Sequence, residues 1–349
     1  MKTYRIASIP GDGIGIEVIA AGIDILNALA KKEGFELAFE HFDWSSKRFL
    51  EKGAYIPEGG LEKLKTFDAI FFGAVGSPDV PDHISLWGLR LPICQGFDQY
   101  ANVRPSRVLP GVESPLKNGK DIDWVIIREN SEGEYSGSGG RVHKGLPEEI
   151  ATETSVFTRV GVERIHRFAF ELARKRPRKL LTLVTKSNAQ RHGMVLWDEI
   201  FYEVAKKYPD VKTDRMLVDA VTTRMVLKPE SLDTIVASNL HADILSDLAA
   251  ALSGSLGIAP TANLNPERKF PSMFEPIHGS AFDITGKGVA NPIATFWTAA
   301  MMLEHLGEPK AAARLMRAIE RTTEEQVFTP DLGGVHDTHA VTNAVKRVL

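Results

Sequence analysis

Short apolar runs that fit buried strands alternate along this chain with longer segments of helical periodicity, and that alternation restricts the fold more than any other feature. Strands each followed by a covering helix pair mostly in parallel, so the pattern implies an α/β protein. Residues 4–10 read as the first buried strand, and a glycine turn leads from it into a helix from about 17 to 32. Residues 69–73 read as a second strand, with 124–128, 181–185 and 234–237 as further short ones. Polar clusters follow these runs at 11–15, 73–78, 129–135, 186–188 and 239–247. Ligands of open α/β sheets bind just beyond the carboxyl ends of the strands, so this repeated placement is a clue to a site. The stretch 137–145, rich in glycine, serine and basic residues, fits a hairpin arm or a mobile loop.

A chain of 349 residues is long for one domain and comfortable for two. Its formal net charge is -3 with no block of like charges, which argues against a nucleic-acid partner. The single cysteine, Cys94, excludes an internal disulfide framework and suits a reducing compartment. The first residues run into a strand-like stretch with no signal-peptide pattern. No apolar run nears the roughly 20 residues a membrane helix needs. A cytoplasmic protein without a membrane partner is expected.

The segment 237–248 carries Asp243 and Asp247 four residues apart, so on a helix the two acids point the same way. Like charges at that spacing repel, and turned inward they need a cation. Carboxylates without nearby cysteine favour a hard ion, Mg²⁺ or Mn²⁺, over zinc. A solvated acidic helix face explains the same spacing. Asp219, after an apolar triplet, is a candidate third carboxylate.

Gly11-Asp12-Gly13-Ile14-Gly15 opens a helix after a strand, where glycines let backbone approach a ligand and the helix N-terminus favours anions. It lacks the last glycine of the dinucleotide fingerprint, and a plain tight turn accounts for it equally. Tyr135 and Lys186 are the acid–base candidates, against ordinary roles as a hydrogen-bonded phenol and a surface ammonium. Arg90, Arg104 and Arg128 recur beside these clusters, and converging arginines would imply a polyanionic small substrate. In the 275–283 segment, His278 before a Gly-Ser turn and then Asp283 could cradle adenine and ribose. A carboxylate on the ribose hydroxyls favours NAD over NADP.

Taken in order, these segments resemble the β-decarboxylating dehydrogenases, the family of isopropylmalate and isocitrate dehydrogenases. The likeness runs from Ile9-Pro10-Gly11-Asp12-Gly13-Ile14-Gly15 to Thr329-Pro330-Asp331-Leu332-Gly333-Gly334. Segments 80–88, 97–100 and 132–136 are similar to its tartrate and D-malate dehydrogenase branch. The resemblance implies an isopropylmalate dehydrogenase-like two-domain α/β fold with a mostly parallel sheet core, not a standard Rossmann fold. Residues 1–104 and 256–349 would form a cofactor-binding domain holding both chain ends. Residues 105–255 would form a second domain with the dimer interface and an arm at about 136–155. It implies a metal site of Asp219, Asp243 and Asp247, and an acid–base pair of Tyr135 and Lys186. Arg90, Arg104, Arg128 and Asn188 would bind substrate. Ile14, Glu275, His278, Gly279, Ser280, Ala281, Asp283 and Asn291 would bind NAD. Each site of a homodimer would borrow Lys186 and Asp219 from the other subunit. Mg²⁺ or Mn²⁺ is the expected metal, and K⁺ is a further candidate.

Three positions depart from the family pattern. Its first substrate arginine sits ten residues before the second, where this chain has Cys94. Arg90, one helical turn earlier, would reach the same carboxylate if the helix continues through Pro92, and it favours a small polar substrate over an isopropyl group. His241-Ala242 replaces Phe-Gly before the first helical aspartate, and Phe282 replaces a proline beside Asp283. The expected activity is NAD- and metal-dependent oxidation of a small 2-hydroxy dicarboxylate such as tartrate or D-malate, with decarboxylation for the D-malate type. The alternatives are 3-isopropylmalate oxidation and, more remotely, metal-dependent phosphate-ester hydrolysis or NAD sensing.

Overall fold

Strands buried on both faces need apolar side chains at successive positions, and Ile6, Ala7 and Ile9 meet that condition in the first strand, Lys2–Gly11. The computed structural model describes residues 2–349. The first strand pairs in parallel with Phe35–His41 on one side and Ala69–Ala74 on the other. The latter pairs in parallel with Ser272–Pro276, against which Pro260–Leu264 runs antiparallel. Successive side chains serve opposite layers, as the pleat dictates. Phe71 packs with Ile25, Leu29, Phe296 and Leu315, while Ile70 and Phe72 join Phe42, Trp44 and Tyr55.

The helix Gly15–Glu33 buries Val18, Ile19, Gly22, Ile25, Leu26 and Leu29, an apolar stripe at helical period. It stops at Gly34, whose φ of 81° closes the last turn. At Gly22 a Cβ would lie 2.8 Å from the Phe71 ring, so glycine sets how closely helix and strand approach. The helical run 82–96 does pass through Pro92. Proline cannot donate to residue 88 and crowds its carbonyl, and a wider π turn over Leu86–Arg90 lies just before it.

Two compact units divide the chain: residues up to Gln99 with Arg107–Lys120 and Ala250–Leu349, and Tyr100–Ser106 with Asp121–Ala249. The expected boundaries were 104/105 and 255/256. Contacts instead put 100–106 in the second unit, because the strand Ala101–Arg107 neighbours Asp123–Glu129. They put 107–120 and 250–255 in the first, where Ser114 Oγ donates to the Leu252 carbonyl at 2.6 Å. In the second unit the strand order is 101–107, 123–129, 234–237, 180–185 and 212–217. The last four of these pair in parallel. Residues 133–156 form an antiparallel hairpin, Gly133–Val142 against Ile150–Val156, in place of a mobile loop. Among the described residues no helix is long and apolar enough to cross a membrane.

In the second unit, the helices Arg159–Lys175 and Gly193–Ala205 close an aromatic core around His166. Its ring lies 4.3 Å from Trp197 and 5.3 Å from Phe201, fully buried, with neither nitrogen hydrogen-bonded. Burial pushes its pKa down from 6.5 to about 3. The unfolded chain therefore binds the proton first, and stability falls as pH drops from 6.5 toward 3, by up to about 1.4 kcal/mol per pH unit. His166→Phe should remove that slope. Urea unfolding at a series of pH values checks this, and an unchanged slope in the variant contradicts it.

Candidate functional site

Arg104 lies midway along the strand Ala101–Arg107 and Arg128 near the carboxyl end of Asp123–Glu129, and both residues are almost wholly enclosed, at 4% and 2% exposure. Both donate to Oδ1 of Asp243 on the helix Asn239–Leu252, Arg104 at 3.1 Å and Arg128 in a shorter contact. Arg104 also donates to Asn102 Oδ1 at 2.8 Å and to Ser246 Oγ at 2.5 Å. Arg128 Nε donates to Asn239 Oδ1 at 2.8 Å, and its guanidinium sits 5.1 Å over the Tyr135 ring. The Tyr135 hydroxyl donates to Asp243 Oδ2 at 3.0 Å. Four residues singled out in the sequence thus meet at one carboxylate. Asn239 and Ser246, which complete the anchoring, were not singled out. An asparagine opening a helix after a strand was the available signal for the first, and Ser246 carried none.

One turn beyond Asp243, Asp247 has no protein donor to its carboxylate among the described residues. Its pKa is raised chiefly by loss of solvation, with Arg104 opposing and Asp243 adding to the effect. Carboxylate oxygens suit a hard divalent cation, and a cation here would relieve both raising effects, so the pair fits one. Among the described residues no three metal-binding side chains cluster as a full ligand set, so the two acids supply only part of a coordination shell.

Lys186 and Asp219 sit at the ends of the neighbouring strands Leu180–Thr185 and Lys212–Leu217, and their hydrogen bond runs between themselves, at 2.7 Å. That bond, first among several causes, holds Asp219 below the usual carboxylate range. Asn188 is exposed two residues on.

In the first unit the glycine turn and the 278–283 loop come together. Ile14 N donates to the Ser280 carbonyl at 2.8 Å, and a Cβ on Gly13 would fall 2.0 Å from that same oxygen. Asp12 pins neighbouring loops, accepting from Ser46 N at 2.8 Å and Gly76 N at 2.9 Å. His278 Nδ1 lies 3.0 Å from the Gly279 carbonyl, while Nε2 is buried with no partner, and burial lowers the ring's pKa. An orphaned ring nitrogen beside the open space over Gly279 fits a nucleotide base. Ala281 takes φ 41°, and Asp283 is exposed. Asn291 donates to Asp331 Oδ2 at 3.0 Å, which ties the 291 position to the 330–334 motif.

Arg90 and Glu275 find each other. Arg90 Nε and Nη2 lie 2.8 and 2.7 Å from Glu275 Oε1, and Asn263 Nδ2 donates to that oxygen at 2.7 Å. Both side chains are buried. Serving substrate and cofactor, as the sequence reading has it, would require each to give up the other. Cys94 is fully buried.

The profile of a family described as isocitrate/isopropylmalate dehydrogenase matches residues 5–345. A probable tartrate dehydrogenase/decarboxylase of Agrobacterium vitis is 71% identical over 348 residues, covering 99% of this chain and 96% of that protein. The D-malate dehydrogenase (decarboxylating) of Escherichia coli K12 is 51% identical over 358 residues, covering 100% and 99%. The crystal structure of isocitrate dehydrogenase from Methylococcus capsulatus superposes with a TM-score of 0.90 at 36% identity, covering 99% of each chain.

Directly after Arg128, Glu129 is enclosed and accepts from the Ser131 amide at 2.9 Å, the Ser131 hydroxyl, and the Glu132 amide at 2.9 Å. Burial outweighs these donors and pushes its pKa from 4.5 up to about 7. The folded chain therefore holds the proton longer, and this stabilisation is present below pH 4.5 and lost as pH rises through 7, roughly 3 kcal/mol in all. Glu129→Gln should flatten the stability profile between pH 4.5 and 7, a slope opposite to that of His166. A variant that keeps the wild-type slope there contradicts the assignment.

Proposed function

This chain belongs to the isocitrate/isopropylmalate dehydrogenase family, and from that premise we propose that it oxidises a small 2-hydroxy dicarboxylate, tartrate or D-malate, with NAD and Mg²⁺ or Mn²⁺. The observation that carries this reading is the convergence of two enclosed guanidinium groups on Asp243 with Asp247 one turn away. Those four charges sum to zero. A divalent cation on the aspartates leaves the arginines two unit charges in excess, the complement of a dicarboxylate.

Arg104 and Arg128 hold the substrate carboxylates, with Arg90 a further candidate if it exchanges Glu275 for one. Asn188 orients substrate. Asp243 and Asp247, with Asp219 of a second copy of the chain, hold the cation. The adenosine of NAD lies on Ile14, His278, Gly279, Ser280, Ala281 and Asn291, with Asp283 on the ribose hydroxyls and Glu275 toward the nicotinamide side. When bound, the cation would acidify the 2-hydroxyl and NAD would accept the hydride from C2. Lys186 Nζ takes the hydroxyl proton. A substrate with a free β-carboxylate then loses CO₂, and the Tyr135 hydroxyl protonates the carbon left behind. A homodimer with shared sites would bring Lys186 and Asp219, which hydrogen-bond to each other within one chain, to the aspartates of the second copy. Leu240 and Ile244, exposed beside the aspartates, and Val142 and Ile150, exposed on the hairpin, support a covering second copy.

Absorbance of reduced nicotinamide and trapped CO₂, measured with D-malate, both tartrates and 3-isopropylmalate, test the proposal. Cation-dependent turnover of D-malate or tartrate is expected, and preference for 3-isopropylmalate overturns the substrate class. Lys186→Met should lower kcat by about 10²–10⁴-fold while NAD and Mn²⁺ still bind. Asp247→Asn should weaken Mn²⁺ binding on the order of tenfold or more by calorimetry. Wild-type turnover by the first variant or wild-type affinity in the second removes the corresponding role.

A further inference from the structure

The parallel pairing of 180–185 with 212–217 sets Thr185 opposite Leu217, so Lys186 and Asp219 emerge from adjacent strand ends. A lysine on an exposed turn has many rotamers, and one hydrogen bond to an exposed aspartate does little to choose among them. The turn itself is held by a third residue. Ser187, next to Lys186, donates its hydroxyl to Asp198 Oδ2 at 2.8 Å. Arg215, on the strand leading to Asp219, donates Nε to the same oxygen at 2.9 Å and Nη2 to Ser187 Oγ at 2.6 Å. One carboxylate oxygen therefore ties together the two segments that present the lysine and the aspartate.

Asp198 is a rigid post. It stands on the helix Gly193–Ala205, directly after Trp197, which is fully buried and donates its indole N–H to the Val184 carbonyl at 3.1 Å. The Asp198 side chain is 13% exposed, against 37% for Arg215. Its second oxygen is buried without a partner. A hydroxyl anchor alone needs no charge, whereas the Arg215 guanidinium on the same oxygen does.

We propose that Asp198 is a positioning residue, which, through Ser187 and Arg215, fixes Lys186 and Asp219 as one unit. The catalytic consequence rests on the role given to Lys186 above. Asp198→Ala should lower kcat about tenfold or more while leaving KM for NAD unchanged. Asp198→Asn, which keeps an acceptor for Ser187 but loses the charge, should fall between the two. A readout independent of turnover is trace acetylation of the folded homogeneous protein, with each lysine quantified by mass spectrometry. In Asp198→Ala the labelling of Lys186 should move toward that of exposed Lys310, with other lysines unchanged. Unchanged Lys186 labelling in both variants overturns the proposal, as does a loss of kcat that only tracks the folded fraction. Should wild-type protein oxidise no 2-hydroxy diacid while Lys186 labelling still responds, the catalytic reading falls and the positioning role stands.

Discussion

Two guanidinium groups shut away from water must be met by anions, and the convergence of Arg104 and Arg128 on Asp243 is the constraint around which the second unit is organised. An unpaired charge at such depth costs several kcal/mol, so Asp243 has to be where it is. Its position in turn fixes the helix 239–252, through Asn239 on Arg128 and Ser246 on Arg104, and orients Tyr135. Asp247 then follows from helical geometry alone, one turn on and facing the same way. The neighbouring strands have only to deliver two arginines for the rest of the constellation to assemble.

The same constraint leaves the two arginines and two aspartates without net charge. In the proposed reading, Asp243 screens the arginines until a cation engages the aspartates, after which the guanidinium pair is free to take a dicarboxylate. In the proposed function, cation and substrate bind as coupled ligands, each improving the site for the other. In the proposed arrangement Lys186 and Asp219 are held in a different way, through Asp198 on the helix Gly193–Ala205.

Much of this was legible in the sequence. The strand at 234–237 and the i,i+4 aspartates are local patterns, and period and spacing report them directly. Polar clusters after strands marked Arg128, Tyr135 and Lys186 for the same reason. What local patterns cannot carry is a partner far along the chain. Arg90 reads as a substrate ligand one turn before Cys94, yet its guanidinium lies on Glu275 from a distant strand. Nothing in sequence marks Glu129 as a buried acid, since it ends a strand enclosed among strands distant along the chain. The π turn before Pro92 was visible only as a proline in a helical run, which predicts a disturbance without its form. The ordered set of motifs, more than any one of them, indicated the family.

The central claim is that cation and dicarboxylate share one charge balance at Asp243 and Asp247. Calorimetric titration of the chain with D-malate in the absence of NAD, with and without saturating Mn²⁺, tests it most directly. The account predicts that the cation tightens binding by about tenfold or more. Equal affinity in the two titrations would contradict it.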